Sequence, residues 1–525
     1  MVLISLLFAA AAAAPPQYLG PVEAEGRLLT LPDGSWRSYS VRNESDTSLL
    51  TVRASNDAGR TWARAEKLTA LPGAGWGGLL VIRDRQGELQ FVITRVRGDG
   101  KRLAIDRFID LWHLHTTGGQ SSFSAPQRIF EGYVGSIQQL IQLRSGRLLM
   151  PFAAWIGGRA SGPPTGSNET TAVYSDDDGA TWRQSPSRLV APVHAGFNGS
   201  NYGAVEPAVL EREDGTVWML MRTQTGFFYE STSRDGAEWS PAKASNIHSS
   251  TGPPFLLRLP DRRVVLFWNH CEMPPRVEGQ GVYGGRDALH AAISSDEGKT
   301  WRGFREVYRD PFRNEAPPKL GDRGTAYPYA TNMKDGKIAL VSGQGAKRRA
   351  LVIVDPQWLI ETHATTDLSD WHVFLGVGQA SGYWRDRKPG ARIVDNALEI
   401  TTRPGLPPDT AVWNFPLGRS GTVTMQVRGQ GGELALTQRM FEPGDTQGEQ
   451  RAVFRTPLPD LKDSAWHQLK LQWDAANGSA RLYLDGKQIS SLKANQAGDT
   501  AASYLRLKST GGTFYVKDVS ADVQP

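Results

Sequence analysis

The sequence predicts an all-β chain: a six-bladed β-propeller over residues 20–362, followed by a β-sandwich of jelly-roll type over residues 371–525. Three observations predict it. A turn motif of the form Ser-x-Asp-x-Gly-x-Thr-Trp recurs through the first two thirds of the chain, a second set of tight turns alternates with it, and both rhythms stop after Glu361. Repeats of this length mark architectures in which one supersecondary unit is packed on copies of itself.

The motif occurs at residues 55–62, 175–182 and 294–301, and in shortened form at 233–239. Its aspartates stand at 57, 177, 235 and 296, so the intervals are 120, 58 and 61. The first interval is two periods and predicts a degenerate copy near 117. Residues 116–126 sit there, with Phe123 in the tryptophan place and a Ser-x-Pro exit like that after Trp239. One further period reaches Asp355-Pro356-Gln357-Trp358, and six units result. Physically the motif is a turn. Asp accepts backbone N–H groups, Gly takes a conformation closed to other residues, and Trp plugs the hairpin from below. These aspartates are therefore structural and stay off the list of candidate catalytic residues.

The alternate turns are Pro32-Asp33-Gly34, Arg85-Gln86-Gly87, Arg144-Ser145-Gly146, Glu213-Asp214-Gly215, Pro260-Asp261-Arg262 and Lys334-Asp335-Gly336, each between apolar runs. They read as hairpin connections, so each unit becomes strand, turn, strand, strand, motif turn, strand. Four strands repeated six times make the propeller.

Residues 362–370 read as a polar linker. Beyond Trp371 the strands alternate apolar and polar residues, as at 422–427, 469–473 and 480–484. Trp466-His467-Gln468-Leu469 followed by Asp485-Gly486-Lys487 resembles the laminin-G-like or concanavalin-A-like sandwich family. That resemblance implies a module that binds carbohydrate in some members and serves as a spacer in others, and both roles stay open here. At the amino end, Val2 to Ala14 is an unbroken apolar run closed by Pro15-Pro16. It is too short to span a bilayer and fits a signal peptide over residues 1–14, which predicts a secreted or periplasmic protein; the usual leading basic residue is missing, and a disordered apolar leader is the rival reading. No later run suggests a membrane span.

The 525 residues carry 59 Lys+Arg against 54 Asp+Glu, a net charge of +5. The basic residues are dispersed, the longest run being Lys347-Arg348-Arg349, so nucleic acid is not an expected partner. A single cysteine, Cys271, excludes an internal disulfide, and the 16 tryptophans are partly accounted for by the four in recognisable motif turns. His270-Cys271-Glu272 is not read as a metal site, because adjacent strand residues face opposite ways.

The eight-residue motif repeated about the ring resembles the sialidase superfamily, where it is called the Asp box. The resemblance implies the propeller and a site on the segments entering the inner strands. It also implies a chemistry: arginines hold a sugar carboxylate, a neutral tyrosine activated by a glutamate attacks the anomeric carbon, and an aspartic acid protonates the leaving sugar. Glu206-Pro207-Ala208 followed by Met221-Arg222-Thr223 looks like the segment supplying the base and second arginine, so Glu206 and Arg222 take those roles. Gly284-Gly285-Arg286-Asp287 gives Arg286 as third arginine. Ala326-Tyr327-Pro328-Tyr329 gives Tyr327 as nucleophile, with Tyr329 as the fallback.

The chain departs from the family at its first arginine, which belongs to an Arg-Ile-Pro pattern absent here. Arg27 is the nearest candidate, and the glutamate that would buttress it falls near Gln344. Asp46, before the first motif, is the candidate acid, with Asp33 a weaker one. Asp106 and Asp110 are read as pocket-rim residues or partners of Arg107. The expected function is thus an exo-acting, retaining glycoside hydrolase that releases a terminal sialic or related carboxylated sugar from glycans without a metal or organic cofactor. Two rivals remain: a hydrolase or lyase acting on another acidic polysaccharide, and a non-catalytic glycan-binding protein.

Overall fold

The computed structural model describes residues 13–22, 26–157, 166–193, 203–272, 285–316, 324–345, 347–381, 384–445, 447–495 and 498–525. Most of the expected signal peptide lies outside the described residues. The fold is all-β. The helical pieces among the described residues are short: Leu368–Asp370, Pro356–Leu359 and Gln447–Arg451.

Six antiparallel sheets follow one another along the first two thirds of the chain, and none closes on itself. The first is Arg27–Thr30, Trp36–Asn43, Thr47–Ser55 and Glu66–Pro72. The second begins at Trp76–Arg83, the third at Ile141–Gln142, the fourth at Val205–Glu211 and the fifth at Phe255–Arg258. In the sixth, Tyr329–Asn332, Ile338–Ser342 and Ala350–Val354 are completed by a strand from the amino end, Gln17–Pro21. Separate apolar cores bind each sheet to the next. Leu50 with Phe91 joins the first and second sheets, Val92 with Phe152 the second and third, Leu149 with Met219 the third and fourth, and Trp218 with Leu266 the fourth and fifth. The fifth and sixth share Phe267 and Leu340 in a core that also takes Leu28 and Trp36 of the first sheet. The first strands of all six sheets line one cavity of about 860 Å³.

The turn chemistry explains this register. In the three full motifs the aspartate accepts from the threonine N–H at 2.8–2.9 Å and from its hydroxyl, while the serine hydroxyl donates to the aspartate and accepts from the glycine N–H. The residue before that glycine is also left-handed, at φ 56 for Ala58, 55 for Asp178 and 63 for Glu297. The degenerate copy near 117 has no aspartate. Glu88 reaches across from the neighbouring hairpin instead, accepting from the Thr116 hydroxyl at 2.6 Å and the Gly119 N–H at 2.7 Å. The copy expected at Asp355 is not a hairpin: Asp355 caps the short helix Pro356–Leu359, which leaves the fourth strand of that sheet to come from residues 17–21. All six alternate turns end on a left-handed residue, five of them glycine and one Arg262 at φ 75.

The remaining chain forms an antiparallel sheet of eight strands and one of four, which share a core containing Trp413, Leu436 and Leu505 from one side and Val423, Leu471 and Leu482 from the other, and a two-stranded pair, Leu375–Ser381 with Trp384–Lys388. In the Trp-His pattern Leu469 enters this core, and His467 is held between Asp463 at 2.9 Å and Asp485 at 2.7 Å, so the pattern fastens a turn. This unit is bolted to the fifth sheet. Cys271–Glu272 pairs in parallel with Met440–Phe441. Fully buried Glu306 accepts from the Tyr504 hydroxyl at 2.7 Å, contacts His372 Nε2 at 2.9 Å and pairs with Arg309 at 2.6 Å. Arg387 grips Asp287 through two contacts of 2.8 Å. Among the described residues no helix is long and apolar enough to cross a membrane.

Candidate active site

A second cavity, of about 880 Å³, lies where the first strands of several sheets begin. The backbone builds its floor. Glu206 opens the first strand of the fourth sheet, where the pairing with Val217–Arg222 slips between Val205 and Ala208, and it sits at φ 46. Tyr327 precedes the first strand of the sixth sheet at φ 64. A left-handed conformation costs a non-glycine residue about 1–3 kcal/mol and persists only where surrounding contacts impose it. Here it turns both side chains out of ordinary strand alternation and toward each other.

The Tyr327 hydroxyl donates to Glu206 Oε1 at 2.8 Å. Arg222, directly opposite Val205 in the register, donates to Glu206 Oε2 at 2.6 Å and stands 3.4 Å from the Tyr327 oxygen. Arg286 lies 5.6 Å from the Tyr327 ring centroid, donating to Gln344 Oε1 at 2.6 Å and to the Thr251 carbonyl at 3.0 Å. Burial and the Glu206 carboxylate push the Tyr327 phenol well above its ordinary range, with Arg222 and Arg286 pulling the other way. The tyrosine is therefore a neutral hydroxyl at neutral pH, hydrogen-bonded to a carboxylate that can take its proton.

The sequence-predicted residues do not all meet. Tyr327, Glu206, Arg222 and Arg286 come together, but Arg222 and Arg286 are each 1% exposed and stand behind the cavity wall rather than in it. Arg27 does line the cavity, yet its guanidinium donates to the carbonyls of Leu79 and Ile137 and lies over the Tyr329 ring at 4.8 Å. Gln344 accordingly serves Arg286, not Arg27. Tyr329 is not an alternative nucleophile in position, because the left-handed residue two places before it sends it into the core against Phe255. Asp46 is exposed on the turn between Trp36–Asn43 and Thr47–Ser55 and is not in the cavity wall; Asp33 holds Ser35 in the first alternate turn. Asp106 pairs with Arg102 and Asp110 with Arg97, so neither takes Arg107. Among the described residues no group of His, Cys, Asp and Glu could hold a metal ion.

Two cations in the wall escape sequence reasoning. Lys347 and Arg349 follow Gln344 in the turn between Ile338–Ser342 and Ala350–Val354 and both line the cavity. They form part of the longest basic run, and the signal lies in its place just after the sixth sheet's second strand. Arg348 between them is structural, pairing with Asp310 at 3.0 Å.

Residues 80–340 match the family described as the BNR repeat-like domain. This stretch of the chain is similar to the BNR repeat-like domain. The match runs from within the second sheet to the second strand of the sixth, and so takes in Glu206, Arg222, Arg286 and Tyr327. No curated protein matches the chain. Among solved structures, the chain is similar to a Trypanosoma rangeli sialidase in complex with sialic acid, at 14% identity over 98% of this chain and 96% of that one, TM-score 0.40. It is also similar to a protein of unknown function from Dyadobacter fermentans, at 17% identity over 65% and 98%, TM-score 0.45. A third is a variant of the NanB sialidase from Streptococcus pneumoniae, at 13% identity over 64% and 68%, TM-score 0.43.

Proposed function

We propose that the BNR repeat-like domain belongs to a six-bladed propeller that hydrolyses the glycosidic bond of a terminal sialic or related carboxylated sugar, with Tyr327 as nucleophile and Glu206 as its base. The observation that carries this reading is the 2.8 Å contact between a neutral tyrosine hydroxyl and a carboxylate, both held in left-handed backbone in the cavity wall. An anionic nucleophile would be repelled by the sugar's own carboxylate, whereas a phenol losing its proton only as it attacks is not. In the first step the Tyr327 oxygen bonds to the anomeric carbon, its proton passes to Glu206, and the bond to the leaving oxygen breaks. Water then attacks the same carbon, Tyr327 departs and recovers its proton from Glu206, the proton lost by the water neutralises the released oxyanion, and the two inversions give net retention.

Arg222 and Arg286 fix the two reacting side chains, while Arg27, Lys347 and Arg349 give the wall the positive charge an acidic sugar needs. Asp46, exposed and outside the cavity wall, is not placed to protonate the leaving oxygen. An aryl sialoside, whose leaving phenolate needs no acid, is therefore the substrate of choice. Tyr327→Phe is expected to abolish release of the aryl group with the fold intact, and full activity in that variant would end the assignment.

One observation favours a second reading, a lyase on a uronate polymer. Glu206 is the one carboxylate among the described residues that line the cavity, and elimination needs a base beside the acidic sugar more than a separate acid. Appearance of an ultraviolet-absorbing double bond on uronate polymers, with no sialoside cleavage, would decide for it.

A further inference from the structure

A third cavity, of about 410 Å³, opens at the seam between the fourth sheet and the carboxyl-terminal unit. Its wall takes Thr225, Phe227 and His248 from the first unit and Arg439, Arg451 and Asp499 from the second. Arg439 is 6% exposed and donates to His248 Nδ1 at 2.6 Å, so the imidazole lone pair is turned to a guanidinium. Burial and the Arg439 charge depress His248 to about 3, and the ring is neutral at working pH. Phe227 lies against that ring, centroids 4.1 Å apart. Asp499 accepts from the Gln438 N–H at 3.2 Å. Two guanidinium groups thus share the wall with one carboxylate, with a hydroxyl and an aromatic ring alongside. That set suits a ligand carrying one negative charge and several hydroxyls, the description of an acidic sugar.

Its place in the fold connects it to the first site. Thr225 follows Arg222 by three residues, and His248 precedes by three residues Thr251, whose carbonyl accepts from Arg286. Three residues of chain span at most about 10 Å. We propose that this seam cavity is a second subsite that takes the next acidic sugar of the same glycan, so that the carboxyl-terminal unit selects chains with two adjacent carboxylated residues. The proposal rests on reading the 880 Å³ cavity at Tyr327 and Glu206 as an acidic-sugar site.

The test uses the full chain carrying Tyr327→Phe, to prevent turnover, with methyl sialoside and a linked sialic acid dimer as probes, followed by calorimetry and amide hydrogen exchange. The dimer is expected to bind about tenfold more tightly, a step worth one charge-assisted contact. It should protect residues 225–227 and 438–439, which the methyl sialoside leaves unprotected. Arg451→Ala, at an exposed position, is expected to remove most of that advantage while leaving methyl sialoside affinity unchanged. If methyl sialoside binds but the dimer gains nothing and the seam stays unprotected, this proposal falls alone. If Arg451→Ala weakens both probes equally, it also falls. If methyl sialoside does not bind, the acidic-sugar reading of the Tyr327 cavity falls and takes this one with it.

Discussion

Replacing Arg222 by methionine isolates the ion pair on which the site's geometry depends. The guanidinium is 1% exposed and the Glu206 side chain 6%, with 2.6 Å between them. Methionine keeps much of the volume, so packing changes little. What changes is charge: Glu206 is left as a buried carboxylate with the Tyr327 hydroxyl as its remaining described donor. Removing one partner of a buried pair costs about 3–5 kcal/mol, because the survivor keeps its desolvation penalty without its counter-ion. Glu206→Gln in the same chain removes that stranded charge, so the double variant is expected to be more stable than Arg222→Met alone, with a coupling of about 0.5–3 kcal/mol. Urea denaturation followed by tryptophan fluorescence reads this as a midpoint shift at unchanged slope. A loss below about 1 kcal/mol, the scale of an exposed ion pair, or a double variant worse than the single, would refute the reasoning.

Other outcomes follow from the same contacts. Arg387→Ala strands buried Asp287 beside Arg286 and is expected to cost about 3–5 kcal/mol in the same denaturation assay, with Arg387→Lys losing the two-point grip and recovering only part. Gly298→Ala is expected to destabilise more than Gly336→Ala. Both are left-handed, a strain of about 1–2 kcal/mol, but a Cβ at 298 would also meet the Trp218 ring at 2.9 Å while one at 336 meets nothing, and equal thermal shifts would contradict this. His467 is raised above its ordinary value by hydrogen bonds to Asp485 and Asp463. Its contribution to stability is therefore complete below the unfolded value of about 6.5 and fades as pH rises through the folded value, which an NMR titration of the imidazole would show as a midpoint above 6.5.

Turn chemistry makes the sheets legible in the amino-acid pattern alone. Asp57, Asp177 and Asp296 need only their own neighbours to make their bonds, so their meaning survives as a local pattern. Where a distant residue takes over a role, the sequence is silent. Glu88 replacing the missing aspartate near 117, and residues 17–21 completing the sixth sheet, are both long-range substitutions. The same division runs through the site. Glu206, Arg222, Arg286 and Tyr327 are legible from short motifs, but the left-handed backbone at Glu206 and Tyr327 and the burial of both arginines are set by neighbouring sheets. Arg27, expected at a sugar carboxylate, is instead tied to two carbonyls, because the start of its strand faces the segments entering the neighbouring first strands, which no local pattern reveals. The binding of the carboxyl-terminal unit through Glu306 and Arg387 is invisible for the same reason, since its partners lie from 66 to 198 residues apart in sequence.

Everything proposed for the site turns on whether the Tyr327 oxygen forms the bond to the sugar. Incubation with a fluorinated sialosyl donor that slows release of the intermediate, followed by digestion and mass spectrometry, answers that question. One sialosyl adduct is expected, on the peptide carrying Tyr327, and none in Tyr327→Phe. An adduct on Tyr329, on a carboxylate, or persisting in Tyr327→Phe would overturn the assignment.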